Sequence, residues 1–552
     1  MVTEAHAGKL RREVGLIGLT FFSLGSIIGS GWLFGAMNAA KHAGPAAVLA
    51  WPLAGVMLLT LALIHAELGG MYPMAGATVR FSHYAFGGFG GFTIGWASWI
   101  YSMAIAPIEV QASLTYASAI EPLHWLTHKV HGTAVVTFPA GYIVAALLML
   151  LFTIINAFGV KVFATANTYS VWWKIAIPLL TVVTFLFFLH PENFTAQGGF
   201  FPSSTNGIKG MFLALPLGVI FAELGFESAV EMAGEARNPR RDVWRAVIYS
   251  TLIGIAIYTL LQVAFLGALQ PGDIAHGWPN LSFTHDIGPY AGLATVLGLT
   301  WLVVLLYADA FISPTGTGLI YTGTQARLLY GMGRERYIPD RFAFVNTRGV
   351  PIYGIIFGWI MGVILFLPFP GWETLVSFIT SAAVLMYTAT PLAMAHLRRA
   401  DPHRDRPFRL PCASFLNPLG FVFATLLLYW ASWQTVWRLL AAVVAGFVLL
   451  TISYYSRPAA ERPNLEMRHS VWIWPYLVGM GIISYYGAFP GEGGLFRSHE
   501  VLPFGWDFLV VAAFALVIYY FALVTALPYE RVQEHVARDD FELAVEPAAR
   551  AA

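Results

Sequence analysis

Charge and cysteine are both scarce in this sequence, and each scarcity excludes a class of protein. Only 11% of the 552 residues are Asp, Glu, Lys or Arg, less than half the share of about 25% that is typical of soluble globular proteins. The single cysteine, Cys412, can form neither an internal disulfide nor a thiolate metal cluster. The net charge of +1 is too small to indicate nucleic-acid binding.

The site chemistry of enzymes is also missing from the sequence. The 15 histidines show no metal-ligand spacing, and no nucleophile–base pair lies in the apolar segments. We therefore expect a protein that is not an enzyme and that needs neither a metal nor a cofactor. The short polar N-terminus also lacks the successive regions of a cleaved signal peptide.

Long apolar stretches dominate what is present. Hydrophobic residues make up 57% of the chain, and its mean hydropathy is +0.66. A membrane-spanning helix needs about 20 apolar residues, and fourteen stretches come close to this length. The sequence therefore predicts an all-α polytopic membrane protein with spans at 15–40, 46–70, 91–120, 136–158, 164–190, 211–234, 244–269, 291–322, 352–369, 373–397, 415–434, 437–456, 470–488 and 505–527.

The basic residues are distributed unevenly around the predicted spans. With a cytoplasmic N-terminus, the inside loops contain 25 of the 31 Lys and Arg residues, the outside loops contain five, and Lys174 lies in the membrane. Cytoplasmic loops of membrane proteins have an excess of Lys and Arg. The bias predicts a multi-pass protein in the bilayer of the cytoplasmic membrane, with both termini in the cytoplasm.

Two predicted spans are interrupted by small residues at corresponding places. The first breaks at 25–31 (Gly-Ser-Ile-Ile-Gly-Ser-Gly) and the sixth breaks at Gly225. Interrupted helices five spans apart indicate two five-helix repeats, and because five is odd the second repeat is inverted. The predicted organisation is a cytoplasmic N-terminus at 1–13, a first repeat at 14–190 (spans 1–5), a second repeat at 191–400 (spans 6–10), four accessory spans in 401–527 and a cytoplasmic tail at 528–552.

The first break predicts a binding site for a carboxylate. Backbone N–H groups freed around Gly29, Ser30 and Gly31 have no partner in the membrane unless a ligand or a cavity supplies one. At the N-terminus of a half-helix, such groups favour a carboxylate. A packing face of small residues is the alternative. The matching break in the sixth span favours a binding site, to which Ser26 also belongs.

The second break predicts a binding site for an ammonium group. Carbonyl groups freed around Leu224, Gly225 and Phe226 can accept its hydrogen bonds, so two facing breaks fit the backbone of an α-amino acid. Phe221, one turn earlier, either covers the substrate or simply contributes to packing. Glu223 lies beside the break, and a carboxylate in the hydrocarbon core usually marks a substrate path or a proton relay.

Four ionisable residues in the apolar spans are candidates for proton coupling. Burial disfavours the charged form of an amine, so Lys174 could exchange a proton, or its charge could occupy a place where other carriers bind sodium. Snorkelling to the interface is the alternative. Asp309 shares a helical face with Thr317, and we expect Lys174 and Asp309 to pair as a proton or gating switch. Glu109 and Glu227 are the other two candidates.

These motifs resemble those of the amino acid–polyamine–organocation superfamily of transporters. The resemblance covers spans 1 to 10 and rests on 25–34, on 225–241 with its Asn-Pro-Arg-Arg end, and on 326–339. Within the superfamily the chain is most similar to bacterial aspartate–proton symporters. The matching features include Lys174 before Pro178 and four additional C-terminal spans.

The resemblance implies a fold, a transport mechanism and roles for individual residues. The fold is the inverted-repeat fold of the leucine transporter, and the mechanism is alternating access. The substrate carboxylate is implied at Ile27 and 29–31, and its amine near the second break. Phe221 corresponds to a gating aromatic residue, Glu227 to a proton-sensing glutamate, and Lys174 to the lysine that replaces a sodium ion.

The expected function is proton-coupled uptake of an amino acid, with aspartate or another amino acid as the substrate. Glu223 and Glu227 crowd the second break, which leaves two alternatives. Either one of them is protonated when an acidic substrate binds, or the substrate is neutral or cationic. An amino acid or polyamine exchanger and, from a different class, a channel are the other functions to test. A homo-oligomer is compatible with the sequence.

Overall fold

The protein is a bundle of helices, seen in a computed structural model that describes residues 14–548 apart from 75, 131–132, 159, 284–287, 370 and 492–495. The first part of the bundle consists of α1 (Leu16–Ile27), α2 (Gly31–Ala43), α3 (Ala47–Met71), α4 (Ala77–Ala117), α5 (Ala140–Ala157), α6 (Val160–Leu186), α7 (Ile208–Ala214), α8 (Ile220–Glu223), α9 (Ser228–Glu231) and α10 (Pro239–Ala268). A short antiparallel hairpin lies between α4 and α5 and consists of β1 (Thr127–Val130) and β2 (Thr133–Val136).

The second part of the bundle is also helical. It consists of α11 (Pro289–Val296), α12 (Thr300–Arg334), α13 (Ile352–Leu365), α14 (Trp372–Ala400), α15 (Ala413–Trp430), α16 (Trp433–Tyr455), α17 (Ile473–Tyr486), α18 (Trp506–Thr525) and α19 (Tyr529–Ala548).

The lengths and apolar composition of these helices confirm a polytopic membrane protein. Ten helices in the described part of the chain are long and apolar enough to cross a membrane, and Leu16–Ile27 and Ile352–Leu365 are shorter apolar helices. The count of fourteen spans stays a prediction, because not every helix reaches the required length and hydropathy. The predicted N-terminal segment 1–13 and the last residues of the predicted tail, 549–552, lie outside the described residues.

Both predicted interruptions are present as breaks in helical structure. Helix α1 ends at Ile27 and α2 begins at Gly31, so three residues separate them. In the sixth predicted span, α8 ends at Glu223 and α9 begins at Ser228. Gly225 has a φ of +119°, a conformation that residues with a Cβ atom rarely adopt. The sixth predicted span therefore has its predicted break at Gly225, and Gly218, with a φ of +145°, makes a second irregular turn earlier in the same span.

The helices pack so that the two breaks lie in the middle of the bundle. Helix α10 packs along α3, α4 packs along α12 and α14, and α1 contacts α6, α10 and α12. The helices that follow α14 lie further out, with α15 on α14 and α3 and with α16, α17 and α18 packed on their neighbours. The breaks are therefore surrounded by α3, α4, α6, α10, α12 and α14.

The tail helix α19 is docked against the end of the bundle where α4 begins. Val532 and Val536 are buried, and the Arg531 guanidinium lies 2.6 Å from a carboxylate oxygen of Glu466. The His535 ring nitrogen lies 3.1 Å from the other oxygen. Partial burial raises the pKa of Glu466, but hydrogen bonds from His535 and Arg531 outweigh this effect and lower it to about 2.

Candidate functional site

The two breaks cross each other in direct backbone contact. A Cβ atom on Gly225 would lie 2.9 Å from the backbone nitrogen of Ile27. A Cβ atom on Gly31 would lie 2.8 Å from the Cα atom of Ala222. Both distances are shorter than normal contacts, so only glycine at these positions lets the two segments approach this closely.

Hydroxyl groups connect the two breaks. The Ser23 hydroxyl donates to the Phe226 carbonyl at 3.1 Å, and the Ala229 amide donates to the Ser23 oxygen at 3.0 Å. The Ser228 hydroxyl donates to the Ser26 hydroxyl at 2.9 Å. Because each break supplies polar groups to the other, their backbones remain hydrogen-bonded in an apolar environment.

A small cavity lies at the crossing. Its volume is about 10 Å³, room for about one water molecule, so an amino acid can enter only if side chains move. Seven of its lining residues are predicted site residues, namely Ser26, Ile27, Gly29, Gly31, Glu109, Phe221 and Leu224. The other three are Tyr101, Ile105 and Thr317.

The backbone amide of Ser30 is bound by a carboxylate of the protein. It donates to Oε2 of Glu109 at 2.8 Å, while the Ser30 hydroxyl accepts from the Trp372 indole at 3.1 Å. The Glu109 side chain is 1% exposed. The break therefore binds a carboxylate, as the sequence predicts for a substrate, but here the carboxylate belongs to α4.

The Lys174 ammonium is bound by the carbonyl side of the same break. It donates to the Gly25 carbonyl and to the Thr317 hydroxyl, each at 2.8 Å. The Thr317 hydroxyl in turn donates to the Gly25 carbonyl at 2.9 Å. Lys174 is fully buried, so it does not snorkel. Its position combines a positive charge with the carbonyl oxygens at the end of α1.

The expected direct pair of Lys174 and Asp309 is not formed. The Asp309 carboxylate instead accepts from the Trp32 indole at 2.9 Å and from the Ser313 hydroxyl at 2.6 Å. The physical reason is that the helix break offers Lys174 a free carbonyl, while Asp309 finds its donors on α2 and on its own helix. Asp309 therefore connects α12 to α2 and does not line the cavity.

The carboxylate of Glu227, just after the second break, is held by neutral donors. It accepts from the hydroxyl of Tyr387 at 2.6 Å, from that of Tyr321 at 3.3 Å and from the Gly225 amide at 3.2 Å. Tyr101 and Tyr321 share a further hydrogen bond of 2.7 Å. Glu227 is thus part of a buried tyrosine network that reaches the cavity through Tyr101.

The carbonyl groups predicted to bind an ammonium group differ in availability. The Gly225 carbonyl accepts from the Ser228 amide at 3.1 Å, and the Phe226 carbonyl accepts from Ser23. Leu224 lines the cavity, and none of the hydrogen bonds among the described residues uses its carbonyl. Of these three carbonyl groups, the Leu224 carbonyl is therefore the one that remains to accept a hydrogen bond from a ligand.

Phe221 and Glu223, on the same short helix, have different surroundings. Phe221 lines the cavity and meets the Trp372 ring edge-on, with 5.8 Å between ring centroids. Glu223 is 3% exposed and does not line the cavity. Within the part of the chain that the structure describes, neither of its carboxylate oxygens has a hydrogen-bond partner. Its role as a substrate-binding residue therefore stays a prediction.

Some residues of the site escaped the sequence reasoning, although a signal for them was present. Tyr101 and Ile105 precede Glu109 by two turns and one turn on the same face of α4. Tyr321 extends the helical face of Thr317 by one turn. Tyr258 donates to the Ile27 carbonyl at 2.9 Å, and Tyr387 holds Glu227. These last two have no sequence signal, because only the fold brings them to the breaks.

Comparison with known proteins decides the family. A family model described as amino acid permease matches residues 14–455, a range that includes both breaks and all four candidate proton-coupling residues. The chain belongs to the amino acid permease family. This confirms the resemblance seen in the motifs, and the permease is accordingly a membrane transporter and not an enzyme.

Two curated relatives match this permease over nearly its whole length, and a third matches most of it. It is 39% identical over 534 residues to the glutamate/serine transporter AimA of Bacillus subtilis (strain 168), which covers 95% of this chain and 96% of the relative. It is 33% identical over 523 residues to the aspartate-proton symporter of the same strain, covering 94% and 98%. The branched-chain amino acid permease BcaP of that strain is 26% identical over 464 residues, covering 81% and 94%.

Proposed function

We propose that this permease is a proton-coupled transporter that takes up an amino acid across the cytoplasmic membrane by alternating access. In this proposal, 14–190 and 191–400 are inverted five-helix repeats, and 401–527 adds four accessory spans. Both termini lie in the cytoplasm. The distribution of basic residues and the two helix breaks, five predicted spans apart, support this organisation.

The observation that favours proton coupling is the position of Lys174. Its buried ammonium group donates to the Gly25 carbonyl and to Thr317 at the end of α1. Because the lysine side chain already supplies a positive charge at this carbonyl, no sodium ion is needed there. A lysine can also lose its charge by releasing a proton, and such a change would free the end of α1 to move.

The proposed substrate is an α-amino acid that binds where the two breaks cross. The substrate carboxylate accepts a hydrogen bond from the Ser30 amide, and its ammonium group donates to the Leu224 carbonyl. The Phe221 ring covers the bound substrate. Glutamate, aspartate and serine are the first candidates, because two relatives that match over nearly their whole length are named for them.

The proposed cycle combines substrate binding with a change of protonation. As the substrate binds, Lys174 or one of the buried carboxylates of Glu109, Glu227 and Asp309 gains or loses a proton. The helices that contain the breaks then rock relative to α4 and α12. Glu227 is connected to the cavity by the tyrosine network, which gives it a path for responding to a ligand.

Proteoliposomes test this function. With an inside-alkaline pH gradient and no internal substrate, the permease should accumulate L-glutamate, L-aspartate or L-serine and acidify the interior. Uptake that requires internal amino acid would instead establish an exchanger. A conductance without saturable uptake would establish a channel.

A further inference from the structure

The carboxylate of Glu109 occupies the position that the proposed function assigns to the substrate. Oε2 accepts a 2.8 Å hydrogen bond from the Ser30 amide at the start of α2. Its side chain is almost fully buried and lines the cavity. One amide hydrogen cannot be shared fully by two carboxylates, which would also repel each other at this distance. Glu109 and a bound substrate carboxylate therefore exclude each other at Ser30.

The second oxygen of Glu109 shows that this carboxylate is incompletely held. Oε1 has no hydrogen-bond partner among the described residues, although it lies so close to Gly29 that an added Cβ would come within 2.6 Å. A buried acceptor without a donor is destabilised, because no hydrogen bond compensates for its loss of hydration. The arrangement thus favours a carboxylate that can leave its site.

Another buried carboxylate provides a contrast within the same molecule. Glu67 is fully buried, and it accepts hydrogen bonds from the Arg398 guanidinium at 2.7 Å and from the Leu410 amide at 2.6 Å. Both of its oxygens are bonded, and its charge is paired. Glu67 has the contacts of a fixed structural group, whereas Glu109 has a single hydrogen bond on one oxygen.

We propose that Glu109 is a built-in competitor of the substrate, which binds its carboxylate at Ser30 only after Glu109 has released that amide. This inference rests on the proposed function, in which the substrate carboxylate binds at the first break. It makes Glu109 a residue that sets substrate affinity by competing for the substrate's site.

The competition also links substrate to protons. A hydrogen bond to an ionised carboxylate is about twice as strong as one between neutral groups. When Glu109 takes up a proton, its hold on Ser30 weakens and the amide becomes available to the substrate carboxylate. One negative charge at the break is then replaced by another, and a proton enters with the amino acid.

Other ionisable groups lie near the same region on several neighbouring helices. None of them bonds to the Ser30 amide, so a substitution at Glu109 isolates its own contribution. They are Lys174 of α6, Asp309 of α12, Tyr258 of α10, Glu223 of α8 and Tyr101 of α4.

The test measures how pH affects amino acid binding to the purified full-length permease. Calorimetry with L-glutamate, L-aspartate and L-serine is run from about pH 5.5 to about pH 8.5. In the wild type, we expect the affinity to fall at least about tenfold from the acidic to the alkaline end of this range. The reason is that the protonated fraction of a carboxyl group falls about tenfold with each pH unit above its pKa. Glu109→Gln should bind with little pH dependence and, at the alkaline end, about tenfold more tightly than the wild type.

The control and the contrary outcomes are as follows. Glu121→Gln removes an exposed carboxylate just beyond the end of α4 and should keep the wild-type pH profile. A Glu109→Gln protein with the wild-type profile, or with weaker binding at every pH, would overturn the inference.

A second measurement needs no substrate. If none of the three amino acids binds any of the proteins, the proposed substrate class is wrong, and hydrogen exchange of the ligand-free permease decides about Glu109. Exchange of the peptide covering 28–33 should be faster in Glu109→Ala than in the wild type and in Glu121→Ala. Equal exchange in all three proteins would show that Glu109 does not occupy the Ser30 amide.

Discussion

The two helix breaks cross in the same place but are stabilised in different ways. At the first break, charged side chains from other helices bind the backbone: Glu109 accepts from the Ser30 amide, and Lys174 donates to the Gly25 carbonyl. At the second break, the Glu227 carboxylate is held by neutral donors from tyrosines and backbone. The first break therefore has charge partners on both its amide and its carbonyl side.

Under the proposed function, this difference predicts which break responds to a ligand. An α-amino acid carries a carboxylate and an ammonium group, the same two groups that Glu109 and Lys174 present to the first break. Groups of matching chemistry can be exchanged for the substrate or change their charge. The second break, by contrast, is bonded by neutral hydroxyl and backbone groups and supplies the Leu224 carbonyl. We infer that proton coupling centres on the first break.

The largest expected effect comes from a substitution that separates the two breaks. Gly225→Ala places a Cβ 2.9 Å from the Ile27 nitrogen at a φ of +119°, and strain of this kind destabilises by about 1–3 kcal/mol before any clash is counted. We expect loss of both binding and transport, measured by calorimetry and proteoliposome uptake. Gly272→Ala has no atom within 4 Å of its Cβ and should behave as the wild type. Normal transport by Gly225→Ala would contradict the close crossing.

The second largest effect is expected at the charged groups of the first break. Lys174→Ala removes the ammonium group from the Gly25 carbonyl and should abolish uptake driven by a pH gradient in proteoliposomes. Thr181→Ala removes a hydroxyl of the same helix that bonds only to the backbone one turn away, and its uptake should persist. Unchanged gradient-driven uptake in Lys174→Ala would rule out its coupling role.

A smaller effect is expected at the neutral donors of the second break. Tyr387→Phe deletes the 2.6 Å hydrogen bond to Glu227, and a hydrogen bond to a charged group contributes about 1.5–3 kcal/mol. We expect kcat/KM of uptake to fall by about ten- to a hundredfold, since 1.4 kcal/mol corresponds to a factor of about ten, while the pH gradient still drives transport. The matched control is Tyr520→Phe, which alters an exposed ring on α18. If a pH gradient no longer drove uptake by Tyr387→Phe, proton coupling would depend on the second break and not on the first.

The smallest effect on transport is expected far from both breaks, at the docked tail. The pKa of Glu466 is lowered from 4.5 to about 2, so its contacts stabilise docking above about pH 4.5 and lose this contribution as the pH falls towards 2. Glu466→Gln should increase hydrogen exchange in α19 at pH 7 and leave transport unchanged.

The control for the tail uses the same arginine. Glu534 also pairs with Arg531 but is 60% exposed, and exposed ion pairs contribute little. Glu534→Gln should therefore change exchange in α19 much less than Glu466→Gln does. If exchange in Glu466→Gln equals that of the wild type at pH 7, the buried carboxylate does not hold the tail.

Features encoded locally could be predicted from the sequence. The length and composition of the apolar stretches predicted the membrane helices. Glycines within these stretches predicted both breaks, because glycine is a poor helix former and tolerates the backbone conformations of a break. The cost of charge in hydrocarbon singled out Lys174, Glu109, Glu227 and Asp309.

Contacts between distant segments could not be predicted in the same way. The partner of Lys174 was expected to be Asp309, because opposite charges in an apolar medium attract. That argument left out the free carbonyl that a broken helix provides. Tyr387 lies 160 positions from Glu227 in the sequence, and no local pattern connects them.

The most direct test of the account is a structure of the permease with bound L-glutamate, L-aspartate or L-serine. We expect the substrate carboxylate within hydrogen-bond distance of the Ser30 amide, the ammonium group at the Leu224 carbonyl, and the Glu109 carboxylate displaced from Ser30. An amino acid bound elsewhere, with the hydrogen bond between Ser30 and Glu109 intact, would contradict the claim that the crossing of the two breaks is the substrate site.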